Sequence, residues 1–435
     1  MSDPHGLFRT LGDPLCERDI YGDPLIFAGG NAAVFKIRLG KRYYALKCYT
    51  TPRPRTAVIS RRVSDTRTRI IVPTTYLSEE IYVFDKENTG GWYDIALTDW
   101  IEGETLDNTL RKALRDGDGP TIGRLAAEFD LAAAEMLAAP WAHGDLKPEN
   151  IFVTTDGKIR LIDIDAMFFP DLEGEDTPET GTPQYQHPAR DSHFFNRHMD
   201  DYSIALISAT LHLLAIFPQL YDEFGNADRF LFSPAELSEG RSECHAKVQE
   251  LLARRGDGAL YTLVSMLRSP SPVIEGLSGI IGYMSHMALS HSGSAARLQP
   301  DGHSNVITAD PQEGADVCQR LWAYVECGRW GYTGEDGKVA VPPIFDSALE
   351  FSEGLAAVKT GPYNHFIDPA GRCVINCSAY DSVKPFHGGR AAVKSAGLWG
   401  FIDREGKEIV PSMYEKPPLS RREEADEAYD QPNIR

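Results

Sequence analysis

The chain has 435 residues, 42% hydrophobic and 25% charged, with a formal net charge of −19. That length implies two domains and connecting segments, and the acidic balance argues against nucleic-acid and anionic-membrane binding. No apolar run reaches membrane-span length, the start Met1-Ser2-Asp3-Pro4-His5 is no secretory leader, and the seven scattered cysteines, with Cys373 and Cys377 the closest pair, imply reduced thiols in a cytoplasmic protein.

Residues 1–19 read as an N-terminal extension. A β-rich stretch then runs to about residue 100, with alternation in Tyr43-Tyr44-Ala45-Leu46-Lys47-Cys48-Tyr49 and Asp94-Ile95-Ala96-Leu97. Helical periodicity follows: Ile122, Leu125, Ala126, Phe129, Ala132 and Leu137 share a face, and a second apolar helix is predicted over Tyr202–Phe217. Residues 291–316, rich in Ser, Gly, Ala, Asp and Pro, read as a linker, 317–416 as a repeat region, and 417–435 as a charged tail.

The densest chemistry lies in His143-Gly144-Asp145-Leu146-Lys147-Pro148-Glu149-Asn150, followed thirteen positions after Asn150 by Asp163 within Leu161-Ile162-Asp163-Ile164. One carboxylate can orient and deprotonate a hydroxyl, a lysine can meet a transferring phosphate, and an amide with a second carboxylate can hold magnesium. The segment resembles the catalytic loop and magnesium-binding strand of eukaryotic-type protein kinases, HRDLKPEN and DFG. The resemblance covers roughly residues 20–290 and implies an α+β, two-lobed protein-kinase-like fold, with a β-rich N-lobe and a helical C-lobe. It implies Asp145 as catalytic base, Lys147 near the γ-phosphate, and Asn150 and Asp163 as magnesium ligands.

Other segments extend the resemblance. Ala45-Leu46-Lys47 is similar to the VAIK strand, which implies Lys47 on the α- and β-phosphates of ATP. Gly29, Gly30 and Val34 stand for the phosphate-covering loop, where Gly29 is the one glycine that keeps register. Thr98-Asp99-Trp100-Ile101 resembles the gatekeeper and hinge, so Ala45, Thr98, Asp99 and Ile101 are expected around adenine. Gly181-Thr182-Pro183-Gln184-Tyr185 resembles the end of the activation segment, with Thr182 bridging Asp145 and Lys147. Asp200-Asp201-Tyr202-Ser203 resembles the start of the central helix, with Asp200 favoured as the buttress of the catalytic loop.

The pattern departs in four places. Gly144 replaces the arginine of HRD, Ile164 and Asp165 replace the phenylalanine and glycine of DFG, and Ala189 replaces the glutamate of APE. No acid occurs between Cys48 and Ser64 to pair with Lys47 from the following helix, where Arg53, Arg55, Arg61 and Arg62 stand instead. The acidic loop with Asp171, Glu173, Glu175, Asp176 and Glu179 reads either as an attractor of basic substrates or as a solvated surface.

Beyond the linker, Leu321-Trp322-Ala323-Tyr324-Val325, Leu355-Ala356-Ala357-Val358 and Arg390-Ala391-Ala392-Val393 begin three copies 34 and 35 residues apart. Each continues into a turn whose fourth residue is Gly337, Gly371 or Gly406, the signature of a short bulged hairpin. Trp330-Gly331 and Trp399-Gly400 resemble WG repeats, with Asn364-His365 in the middle copy. A small antiparallel all-β repeat domain is implied, contacting a protein partner, with Trp322, Trp330 and Trp399 as anchors or as core.

The leading expectation is a bacterial serine/threonine protein kinase using ATP and Mg2+. Deleting residues 317–435 is expected to spare transfer to a generic peptide. A pseudokinase acting as a nucleotide-binding scaffold is the alternative. A small-molecule phosphotransferase is the third class, and Lys147 and Thr182 speak against it.

Overall fold

The computed structural model describes residues 7–12, 14–28, 32–51, 53–66, 68–84, 90–177, 179–295 and 320–416. Gly29, Gly30, residues 296–319 and the tail from 417 lie outside the described residues. The fold is mixed α+β with several small antiparallel sheets, and the chain divides into two compact units: 1–235 with 270–274, and 236–269 with 275–435.

The first unit opens on β1 (Leu15–Cys16), β2 (Ile26–Ala28), β3 (Ala32–Leu39), β4 (Arg42–Tyr49), helix α1 (Pro54–Asp65), β5 (Thr74–Phe84) and β6 (Gly90–Asp99). The strands form one antiparallel sheet in the order β1-β3-β4-β6-β5, with β2 also on β3. Side chains alternate between its faces. Phe35, Ile37, Leu46, Cys48, Ile81 and Ile95 fill a buried cluster on one face. The cross-strand partners Val34, Lys47 and Ala96, and Ala45 with Thr98, therefore share the other.

Residues 7–12 and 14–19, within the stretch read as an extension, pack against or pair with this sheet. Leu7, Phe8, Leu11 and Cys16 pack on its core. The buried Glu80 carboxylate accepts from Thr10 N (2.6 Å), Leu11 N (2.8 Å) and Thr10 Oγ1 (2.8 Å), so a buried charge is satisfied by main chain the sequence reading had left outside the domain.

After β7 (Gly103–Thr105) come α2 (Leu106–Asp116) and α3 (Gly119–Ala138), then the hairpin β8 (Ile151–Thr154) and β9 (Ile159–Leu161), which joins β7 in a small sheet. Helix α4 (Asp201–Ile216) is apolar all round and buried along its length, as a core helix must be. It is fastened to α3 at the buried Asp130, which accepts from Ser208 Oγ (2.5 Å) and lies 2.7 Å from His212 Nε2. A short α5 (Leu220–Phe224) follows.

The chain continues through α6 (Pro234–Ser238) into α7 (Glu243–Arg255), α8 (Gly258–Met266) and α9 (Leu277–Ala295). The second unit's sheets are β10 (Trp322–Glu326), β11 (Arg329–Thr333) and β12 (Val339–Phe345); β13 (Ser347–Ala348), β14 (Ala356–Thr360), β15 (Tyr363–Ile367) and β16 (Cys373–Cys377); and β17 (Ser382–His387), β18 (Arg390–Ser395), β19 (Leu398–Asp403) and β20 (Glu408–Tyr414).

Each sheet holds one of the predicted hairpins. Gly337, Gly371 and Gly406 have φ of 73°, 81° and 78° and close turns back to Gly334, Asp368 and Asp403. The later two copies share a core of Leu355, Phe366, Ile375, Phe386, Val393 and Ile402, with the Phe366 and Phe386 rings 4.7 Å apart. Trp399 is buried, Trp330 half-buried and Trp322 exposed at 37%, so the three tryptophans do not share one role.

Helices α7, α8 and α9, which the sequence reading grouped with residues 20–235, pack on these sheets. Thr262 Oγ1 donates to Ile344 O (3.1 Å), Tyr283 OH to Ala370 O (2.7 Å) and Asn376 Nδ2 to Arg254 O (2.9 Å). This explains the middle copy. At Gly331 and Gly400 a Cβ would lie 2.5 Å from Val341 O and Val410 O, so only glycine fits beneath those irregular third strands. At His365 the third strand pairs in register with Asn376, leaving room for a side chain, and the buried imidazole Nε2 meets Ala253 O of α7 at 2.9 Å.

Candidate active site

The loop 143–150 sits between α3 and β8, and its backbone is held from several sides. Asp200, at the start of α4, accepts from His143 N and, at 2.9 Å, from Gly144 N, the role expected for one of the two aspartates. His143 is fully buried with Nε2 2.9 Å from Ile162 O. Ala142 and Phe168 exchange backbone hydrogen bonds of 3.2 and 2.9 Å, so the loop is clamped to the chain that follows β9.

Gly144 stands there for a steric reason. Its φ is +87°, and a Cβ would come 2.3 Å from Ala166 O and 2.2 Å from Met199 Cε. No arginine fits at this position. The buried Arg190 approaches from outside instead, donating from Nη2 to Gly144 O at 2.9 Å and from Nη1 to Gln186. Gly144→Ala should destabilise the protein by at least about 2 kcal/mol, since it adds left-handed backbone strain to overlap with a carbonyl. A lower urea midpoint at unchanged slope checks this; an unchanged midpoint contradicts the close approach.

Three predicted side chains meet around Asp145. Its Oδ1 accepts from Thr182 N (2.8 Å) and Thr182 Oγ1 (3.0 Å). Its Oδ2 accepts from Asn150 Nδ2 (3.1 Å) and pairs with Lys147 Nζ (3.0 Å). Lys147 also donates to Thr182 Oγ1 at 2.9 Å. Burial works to raise the Asp145 carboxyl, but the Lys147 charge and hydrogen bond, the Thr182 bond and nearby His143 together outweigh it and hold it below the ordinary carboxylate range.

Lys47 forms the second focus. Its Nζ lies 2.7 Å from Asp163 Oδ1 and 2.7 Å from Asp165 Oδ2. Burial works to lower the ammonium's pKa, but the two carboxylates outweigh it and raise it above its usual value, so Lys47 stays charged. Asp163 has φ of 64°, a left-handed conformation that a short polar side chain tolerates, and the chain then turns through Ile164–Ala166. That turn directs Asp163 and Asp165 to the same lysine while Ile164 is buried in the core.

Val34 lies directly opposite Lys47 on β3, and Ala45 opposite Thr98, whose hydroxyl meets Thr74 Oγ1 at 3.1 Å. Asp99 ends β6 opposite Tyr44, and Ile101 lies in the connection to β7. Asn150 and Asp163 suit a hard cation: the Asn150 amide nitrogen is occupied by Asp145 O (2.8 Å) and Oδ2, which leaves its carbonyl oxygen, and Asp163 keeps a second carboxylate oxygen. Among the described residues no group of three or more His, Cys, Asp or Glu is arranged to hold a metal by itself, so a cation here would need ligands from a bound phosphate and water.

The acidic loop engages the basic face of α1. Arg53 pairs with Glu179 (3.3 Å), Arg55 with Glu175 (3.2 Å) and Asp176 O (2.8 Å), and Arg62 with Asp171 (2.6 Å). The two charge runs are complementary halves of one contact. Each pair is partly exposed and individually weak, so the set acts as a salt-sensitive tether.

Residues 330–361, 366–399 and 399–416 match the family model of the WG containing repeat. The matched spans start on the second strand of each copy, at Trp330, Phe366 and Trp399, a frame offset from the copies beginning at Leu321, Leu355 and Arg390. The matched residues thus run from β11 to β20, and the first two of their sheets carry α7 to α9. No curated protein matches the chain. Among the described residues no helix is long and apolar enough to cross a membrane.

Sequence reasoning missed Asp165 as a partner of Lys47. The signal was present: a second aspartate, two positions after Asp163, interrupts an apolar run. The resemblance to DFG directed attention to the lost glycine instead.

Proposed function

We propose that the chain is a cytoplasmic serine/threonine protein kinase of two-lobed, kinase-like fold, transferring the γ-phosphate of ATP to a protein hydroxyl, with its WG repeats contacting a protein partner. What supports this most is the meeting of Asp145, Lys147, Thr182 and Asn150 within 3.1 Å contacts, alongside a strand lysine 2.7 Å from Asp163.

In this reading Lys47 uses its third N–H, left over from Asp163 and Asp165, for the α- and β-phosphates. The Asp145 carboxylate has about four lone-pair sites, and all are engaged by Thr182, Asn150 and Lys147. The acceptor hydroxyl therefore takes the place of Lys147 as that lysine turns to the γ-phosphate. The hydroxyl oxygen forms the new O–P bond, its proton passes to Asp145, and the bond to the β-phosphate oxygen breaks to release ADP. Magnesium, when held by Asn150 and Asp163, neutralises charge on the phosphate oxygens. Val34, Ala45, Thr98, Asp99 and Ile101 would line the adenine side.

Label from [γ-³²P]ATP should appear on the chain or on a basic generic protein, dependent on magnesium. Asp163→Ala should reduce transfer at least about 100-fold, by loss of metal charge stabilisation at the phosphates. Transfer by Asp163→Ala at the wild-type rate would remove the metal assignment. Nucleotide binding without transfer would favour the scaffold.

A further inference from the structure

Helix α1 brings no carboxylate to Lys47. Its acid, Asp65, is exposed at the helix end, and the buried residue of α1 that reaches this site is Thr56. Asp165 fills the gap from the opposite direction. While Oδ2 pairs with Lys47 at 2.7 Å, Oδ1 accepts from Tyr49 OH (2.9 Å) and Thr56 Oγ1 (3.1 Å). The Asp165 side chain is only 13% exposed, so this is a built arrangement of three partners on strand β4 and helix α1. Asp163, by contrast, is 43% exposed and has one side-chain partner in Lys47, which suits a carboxylate that faces substrate.

Resting on the kinase reading above, we propose that Asp165 is a positioning residue: it aims Lys47 at the nucleotide phosphates and, through Thr56, couples that aim to the placement of α1. The link has a physical consequence. The arginines of α1 hold the 171–179 segment, so the segment, the helix and the phosphate-binding lysine are connected by one continuous set of contacts. Displacing α1 removes a hydrogen bond from Asp165 and loosens Lys47.

The test uses the full chain, with binding of a fluorescent ATP analogue measured beside phosphate transfer. Asp165→Asn keeps the shape and the contacts with Tyr49 and Thr56 but removes the charge. It should weaken nucleotide binding and raise the KM for ATP roughly tenfold or more, the scale of a lost charge-assisted hydrogen bond. The magnesium concentration for half-maximal activity should stay the same. Asp165→Gly should show the same defect, and Thr56→Glu in that background should recover much of the affinity, because position 56 already lies beside the Asp165 carboxylate.

Wild-type binding and KM in Asp165→Asn would overturn the proposal while leaving the kinase reading in place. A shifted magnesium requirement with unchanged nucleotide affinity would overturn it too, by making Asp165 a metal ligand. A wild-type chain that neither binds nor transfers would overturn both.

Discussion

Asp145→Asn should abolish measurable phosphate transfer, a loss of about 1,000-fold or more, while the protein stays folded and still binds ATP. The substitution removes the proposed proton acceptor and leaves an amide where Lys147 now meets a carboxylate oxygen at 3.0 Å. The oxygen of the new side chain can still accept from Thr182 N, so the loop keeps its main anchor. The remaining ties, from Asp200 to His143 N and Gly144 N, are untouched. Transfer by the variant at the wild-type rate would mean that another group takes the proton.

The same carboxylate sets a pH dependence. Because the Asp145 carboxyl is held below its ordinary value, it is ionised throughout the neutral range. Its contribution to stability is fully present above the unfolded value of about 3.9 and is lost as pH falls through the lower folded value. The acid limb of the rate profile assigned to Asp145 should therefore lie below about pH 4, and an Asp145 limb near pH 6 would contradict the Lys147 and Thr182 contacts.

Deleting residues 320–435 should unfold helices α7 to α9. The contacts that would be lost include the Thr262–Ile344, Tyr283–Ala370, Arg254–Asn376 and Ala253–His365 hydrogen bonds. Fully buried Phe345, which lies against Gly258 at the start of α8, would go with them. Burial of a few such side chains is worth on the order of 5 kcal/mol, comparable to the whole stability of a small domain. Limited proteolysis should cut the truncated chain within 236–295, where the full chain resists, with a matching loss of far-ultraviolet helical signal. Resistant helices in the truncated chain would show that this layer stands without the repeats. The expectation that the WG repeats form a separable appendage treated the Ser- and Gly-rich stretch after residue 291 as the point where packing stops. Composition describes the flexibility of a connection, and it carries no information about which faces later meet.

Much of the local arrangement was legible in the sequence because it is set by neighbouring residues. The spacing from Asp145 to Asn150 is a single loop, the alternation around Lys47 is a strand, and the glycine fourth in each hairpin turn answers to backbone geometry within a few residues. Asp200 and Thr182 were found at long range only because they sit in recognisable local patterns of their own. Contacts between segments without such patterns were decided by the tertiary structure. The carboxylate that joins Asp163 on Lys47 comes from Asp165, 118 positions along the chain, instead of from the adjacent helix. The acids of 171–179 read as a substrate attractor or a solvated surface, and the arginines of α1 as a stretch lacking an acid, until the fold set them side by side. Asn364-His365 stands where the other copies have tryptophan–glycine, and the partner of His365 is the carbonyl of Ala253 in helix α7. A sequence displays the periodicity and donor chemistry of each element, because those are set by neighbouring residues. Which donor meets which acceptor across the molecule depends on how the elements pack, and only the folded chain decides that.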